Sequence, residues 1–350
     1  MTQAVAAEAD RLHRQSFVLD LHVHGPGFVP QPFRTVWRGV TIRAPAETGF
    51  DVLRGAGVDA AIAKAVGDPI VTRWYVGRSA WEAVEAQLVL IERQAGDAGA
   101  LIARSVEDLR QARPQGVPAV MLGVEGADAA GRDVDRIDAW HERGVRVIVL
   151  VHLRDNALGT TCLPWQQYAG PFPVRRHASP GLSPIGARVV ERMNQLGVVV
   201  DVAHADRATL LGVVDVATAP VVSSHTGARA LQDFARYLAD DELRAIASTG
   251  GVIGLWPYRA RRSGVRSISD LVAHARHIAE TVGAEHLAVG TDMNGVPRVM
   301  AGFGDETDLP KLTAALLDGG FDDREVEGIL GANALRVLGR VEAEARRPAS

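Results

Sequence analysis

The chain has a single cysteine, Cys162, among 350 residues. An internal disulfide and a cysteine-rich zinc site are both excluded, and a reducing compartment suits the composition. Aromatic residues are scarce at 5%, while the hydrophobic fraction reaches 47%, which fits a soluble globular protein with a large aliphatic core. No apolar run approaches the roughly 18 to 20 residues that span a bilayer. The opening stretch, MTQAVAAEADRLHRQSF, lacks a basic start followed by an apolar run and does not read as a secretory signal. Charge is nearly balanced, at −4 overall, so there is no general attraction to nucleic acid or to an anionic membrane. The expectation is a cytoplasmic protein with no nucleic-acid or membrane partner.

What the sequence does contain is a recurring unit: a short β-branched run, a polar or glycine-rich loop, then helical periodicity. Strands are predicted at Phe17–His22, Val58–Ala65, Val117–Val124, Val145–His152, Val198–His204, Pro220–His225, Gly251–Trp256 and His286–Asp292. Runs such as Val145-Arg-Val-Ile-Val-Leu-Val151 are continuous rather than alternating, as parallel strands buried on both faces are. Helices are predicted at 184–196, opened by Ser183 and Pro184 and closed by Gly197, and at 239–248 and 268–282, which stop before Gly250 and Gly283. Eight such units argue for a (β/α)8 TIM-type barrel or a large doubly wound sheet. The latter normally follows its first strand with a glycine-rich nucleotide turn. Here that strand runs into His22-Val-His24-Gly-Pro-Gly, and the barrel is favoured. One domain is expected over 1–350, with residues 1–16 as a helical extension and 339–350 as a tail, and a homodimer with a small-molecule substrate is expected by analogy with other barrels.

Polar residues fall at the ends of the predicted strands: His22 and His24, Glu125, His152, His204, His225 and Asp292. In a barrel those ends converge on one mouth, where active sites sit. Two histidines separated by two point to the same side of a strand, so His22 and His24 can hold one divalent ion. His204 and His225 can hold a second, with Glu125 bridging the pair. Such ligands suit zinc, and manganese or cobalt also accept them. Asp292 is placed to move a proton. Each residue also has a plain reading: any single histidine as a hydrogen-bonded structural group, Glu125 as a solvated loop acid, and Asp292 as an Asx-turn residue. The set is stronger than its members. His13, His141, His177, His274, His277 and His286 receive no role. Trp37, Trp74, Tyr75, Trp81, Trp165 and Tyr168 fall in mouth loops and either line a pocket or pack on the rim.

Several ordered segments, among them Gly181-Leu-Ser-Pro-Ile-Gly186, Met193-Asn-Gln-Leu-Gly-Val-Val-Val-Asp-Val-Ala-His204, Ser224-His-Thr-Gly-Ala-Arg229 and Val289-Gly-Thr-Asp-Met-Asn-Gly295, resemble the renal or membrane dipeptidases, zinc enzymes of the amidohydrolase superfamily. The resemblance runs from about Asp20 to Leu338. It implies hydrolysis of a dipeptide by metal-activated water, in some members with a D-residue on the carboxyl side. It implies two zinc ions, with Glu125 bridging, His204 and His225 on one and His22 beginning the pair on the other. It also implies Asp292 as acid/base, His152 at the scissile carbonyl, and Arg236 on the substrate's terminal carboxylate, for which a forked guanidinium is suited. The departure is His24, where the family usually has aspartate. An imidazole there removes one negative charge, leaving the first ion more electrophilic and the dipeptide specificity less secure. Rival readings are an N-acyl amino acid deacylase or lactonase, and a barrel that binds metal without turnover.

Overall fold

The structure, a computed structural model, describes residues 3–31, 47–169, 180–260 and 263–346. Trp37, His177, the side chain of Tyr168 and the middle of the loop between residues 25 and 49 lie outside the described residues.

Nine strands are described: β1 Leu19–Val23, β2 Ala60–Val66, β3 Leu101–Ala103, β4 Ala119–Glu125, β5 Val145–Val149, β6 Val199–Asp201, β7 Val222–Thr226, β8 Val252–Leu255 and β9 Leu287–Val289. Eight of them, all parallel, run β1-β2-β4-β5-β6-β7-β8-β9 and close through Asp20 against Val289. This is the expected (β/α)8 barrel. The ninth, β3, was not anticipated from the sequence. It pairs with Ala119–Met121 of β4, and β5 takes over the same edge from Leu122 onward. Four of the eight predicted strands overrun at their C-terminal ends: β5 stops at Val149 rather than His152, β6 at Asp201 rather than His204, β8 at Leu255 rather than Trp256, and β9 at Val289 rather than Asp292. The last turns of chain there bend to place side chains and leave the ladder.

Local signals set the helices. Pro184–Leu196 opens with the Ser183 side chain accepting from Gly186 N and closes at Gly197, whose φ of 72° is left-handed. A residue with a Cβ is disfavoured in that conformation. Ile268–Val282 is capped by Ser267 in the same way. The N-terminal helix Gln3–Gln15 docks through His13, whose ring bonds Thr313 Oγ1 and Ala56 O, a structural role in keeping with its lack of a functional one. Residues 339–345, read from the sequence as part of a tail, continue the helix Asn333–Ala345 with Val341 fully buried. Ala334, Val337 and Leu338 of that helix meet Leu21, Ile62 and Val222 at the apolar lower interior of the barrel. The polar chemistry is thereby confined to the other end.

One buried acid lies away from the site. Burial, and then the neighbouring charge of Asp20, push Glu306 up from 4.5 to about 8. Between those values the folded chain keeps a proton that the unfolded chain has lost, so folding loses stability as pH rises across that window. Below it both states are protonated and the contribution is complete. Glu306→Gln is expected to flatten this dependence, raising Tm relative to the parent at about pH 8 and little at about pH 5. Melting curves that stay parallel across the range would contradict it.

Candidate metal centre

The barrel brings seven of the eight residues singled out from the sequence to one point at its mouth. His22 lies in β1 with His24 just beyond it, Glu125 ends β4, and His225 lies in β7. His152, His204 and Asp292 each sit three residues past the end of β5, β6 and β9. Two of the ligand-bearing strands are irregular where the histidines occur: pairing shifts between Asp20 and Val23 in β1 and between Ser223 and Thr226 in β7. Such irregularities re-aim side chains near functional sites. His204 and Asp292 carry left-handed φ values of 65° and 57°. For side chains with a Cβ this is a strained choice, though Asp and His tolerate it better than most.

Glu125 is the hub. Its Oε1 lies 3.2 Å from His204 Nε2, 3.4 Å from His22 Nε2 and 3.7 Å from His225 Nε2. Its Oε2 lies 3.2 Å from His24 Nε2 and 3.5 Å from His152 Nε2. Asp292 Oδ1 approaches His24 Nε2 at 3.5 Å and His22 Nε2 at 3.8 Å. Four of the rings present Nε2 to the centre because their other nitrogen is engaged. His24 Nδ1 donates to Lys64 O at 2.9 Å, His152 Nδ1 is held by Asp68, and His22 and His225 Nδ1 lie 3.1 and 3.0 Å from Ser224 Oγ.

This arrangement fits a cation. Glu125 Oε1 is buried and has no hydrogen-bond partner, although three ring nitrogens surround it. Three overlapping sets, His22/His24/Asp292, His22/Glu125/His225 and Glu125/His152/His204, each place one ligand atom per residue within 4.8 Å of the others. Nitrogen and carboxylate donors in this mixture suit zinc-like divalent ions. His152, expected at the substrate carbonyl, thus also stands within reach of the Glu125/His204 set.

The electrostatics separate the rings. Burial, with the Arg236 guanidinium and neighbouring rings, holds His204 and His225 well below the usual imidazole range, so both are neutral ligand-type groups. Burial also opposes a charge on His24, but hydrogen bonding to Asp292 and Glu125 outweighs it and lifts this ring to about 9. For His152 burial is likewise overcome, by Glu125 and Asp68. Burial raises Glu125, yet the charges of His152 and His22 take it well below the ordinary carboxylate value. The same field that favours a proton at His24 favours a divalent cation between it and the two carboxylates.

Arg236 is 2% exposed, donates through Nη2 to His225 O at 3.2 Å and lies over the Trp256 ring at 4.7 Å. It therefore borders the metal centre instead of joining it. Of the mouth aromatics, Trp165 lines a cavity of about 590 Å³ with Pro69, Ile70, Arg73 and Arg154, whereas Trp81 stacks on Trp140 at 5.1 Å. Sequence reasoning missed Asp68. Its Oδ1 accepts from Ile70 N and Val71 N, and its Oδ2 holds His152. The Asp68-Pro69 pair reads as a helix start, and only folding reveals its second partner. Asp20 accepts from His22 N, Thr291 N and Thr291 Oγ1, and so orients the β1 and β9 ends without entering the site.

Residues 6–350 match the model of the membrane dipeptidase family, peptidase family M19. Among curated proteins, the chain is 30% identical over 244 residues to dipeptidase tcpJ of Claviceps purpurea, covering 69% of this chain and 55% of that protein. It is 33% identical over 230 residues to dipeptidase aclJ of Aspergillus oryzae, covering 65% and 52%. The match thus spans about half the length of these relatives. Among solved structures, the probable dipeptidase PvdM of Pseudomonas aeruginosa superposes with a TM-score of 0.83 at 22% identity, covering 98% of this chain and 100% of that one. A metallopeptidase of Rhodobacter sphaeroides, liganded with a phosphinate mimic of the dipeptide L-Ala-D-Ala, gives 0.75 at 22% identity, covering 93% and 99%. These two likenesses establish the barrel, and the match along nearly the whole sequence establishes the lineage: the chain belongs to the membrane dipeptidase family.

Proposed function

We propose that this chain is a dipeptidase that hydrolyses the amide bond of a dipeptide-like substrate with a free carboxylate, using two divalent ions, most simply zinc. His22, His24 and Asp292 would hold one, His204 and His225 the other, and Glu125 would bridge them. The observation that carries the reading is Glu125, with both oxygens facing histidine Nε2 atoms at 3.2–3.7 Å. Ions in such a site supply water acidified toward neutrality and polarisation of the amide carbonyl. The relatives named as dipeptidases, and the dipeptide mimic bound to the Rhodobacter protein, support this substrate class.

The chain's own groups divide the remaining work. Asp292 Oδ1 is positioned to accept the proton of the attacking water and pass it to the leaving amine. His152, its Nδ1 anchored on Asp68, presents Nε2 to the mouth and can donate to the carbonyl oxygen as charge develops there. Asp68 acts through His152 and is a positioning residue. Arg236, buried beside His225, is suited to a planar carboxylate.

Arg236→Ala is the test of substrate class. For a dipeptide with a free carboxylate, kcat/KM is expected to fall by about 2–5 kcal/mol in transition-state binding. The C-terminal amide of the same dipeptide, or a neutral lactone, should be affected far less. Equal loss on all three substrates would refute a carboxylate-recognising role and favour one of the other amidohydrolase activities.

A further inference from the structure

Beneath the candidate ligands lies a charged group that hydrolysis does not call for. Lys64, in β2, is fully buried, and so is its partner Asp201 in β6. Lys64 Nζ lies 2.5 Å from Asp201 Oδ2 and 3.1 Å from Ser224 Oγ. Asp201 Oδ1 accepts from Ala203 N and Ser224 N at 2.9 and 3.1 Å. Every strong polar atom of this cluster is therefore paired, as a buried ion pair must be to persist. The chain has only one other lysine, Lys311. Room for the side chain is built into the barrel, because a Cβ at Gly123 would meet Lys64 Cγ at 2.9 Å.

We infer that Lys64, with Asp201, is a positioning residue for the metal centre, acting through Ser224 on one ligand of each ion. An ammonium has only hydrogens to give, so Ser224 Oγ accepts from Lys64. A neutral ring that turns Nε2 to an ion carries its hydrogen on Nδ1, so His22 Nδ1 at 3.1 Å and His225 Nδ1 at 3.0 Å both donate toward the same oxygen and share its remaining acceptor capacity. One side chain thereby orients rings from opposite halves of the site, each located where its strand's pairing shifts. Groups that hold the outer nitrogen of a ligand histidine set its orientation and tautomer and commonly change metal affinity 10- to 100-fold, at order of magnitude. An uncompensated ammonium so close to two ligands would repel a cation, and Asp201 cancels that field. Leucine or methionine in place of Lys64 would fill the space and leave Ser224 without its anchor. The same backbone also serves the first half of the site, since Lys64 O accepts from His24 Nδ1.

This inference rests on the metal-dependent reading above, so the experiment separates the two. Zinc affinity is measured on metal-stripped full-length protein by competition with a chromophoric chelator, alongside dipeptide turnover of the parent. A parent that binds no zinc removes the metal reading and this inference with it. In a zinc-binding parent, two variants decide. S224A deletes only the hydroxyl and leaves the ion pair. K64M/D201N removes both charges together, since K64M alone would strand a buried carboxylate. Both are expected to bind zinc about 10- to 100-fold more weakly, with an altered visible spectrum of the cobalt(II) form and an unchanged Tm of the metal-stripped S224A protein. Parent-like zinc affinity and cobalt spectrum in S224A overturn the inference, even if the double variant fails to fold.

Discussion

Glu125→Gln is expected to abolish metal retention and to lower kcat/KM by about 10³-fold or more, equivalent to roughly 4 kcal/mol of lost transition-state stabilisation. The substitution changes almost no volume, so the barrel should fold. What changes is the charge and the donor pattern. A carboxylate offers two anionic oxygens, one toward His22, His204 and His225 and the other toward His24 and His152. Glutamine offers one neutral oxygen and an NH2 whose hydrogens would face cations. The consequences reach the rings as well, because Glu125 is a leading contributor to holding a proton on both His24 and His152. Elemental analysis of the purified variant and turnover of an L-D dipeptide panel measure the two effects together. Two ions retained per chain with parent-like turnover would remove the bridge from the mechanism.

Asp292→Asn is expected to cost about 10²- to 10⁴-fold in kcat, the usual contribution of a positioned acid/base, while the fold is kept. The backbone argument is specific. Asp292 adopts a left-handed φ of 57°, and asparagine tolerates that conformation as well as aspartate does. Its N–H still donates to His22 O at 2.8 Å, and its carbonyl still accepts from Gly295 N and Val296 N. A Cβ at position 295 would meet Asp292 Oδ1 at 2.1 Å, so glycine there leaves the side chain its place beside His24. Only the capacity to take up and return a proton, and one negative charge near the first ion, are removed. Single-turnover kinetics at saturating metal separate these: a drop in kcat that excess zinc does not restore supports proton transfer by Asp292. Full rescue by zinc would make the residue a ligand alone.

Much of this was legible from residue order. Continuous aliphatic runs told of strands buried on both faces, and Ser183-Pro184 with Gly197 marked one helix at both ends. Polar groups placed after those runs marked the mouth, because a barrel carries every strand's C-terminal end to one place whatever the sequence distance between them. His22, His24, Glu125, His152, His204, His225 and Asp292 follow from that single geometric fact. What could not be read was anything that depends on pairing. β3 is three residues long and takes its identity from the free edge of β4. The shifts that aim His22 and His225 exist only relative to neighbouring strands.

The second partners were hidden for the same reason. Asp68 reads as a helix cap, Lys64 as an isolated charge in an alanine-rich strand, and Ser224 as the residue before a histidine. Their roles arise from contacts across 84, 137 and 202 positions of sequence, distances at which local propensity carries no information. Sequence alone determined the eight barrel strands and the chemical types at their ends, because hydrophobic period and capping act over a few residues. Tertiary structure decided which nitrogen faces the centre in His22, His24 and His152, because that is set by a hydrogen bond to a group brought near only when the barrel closes.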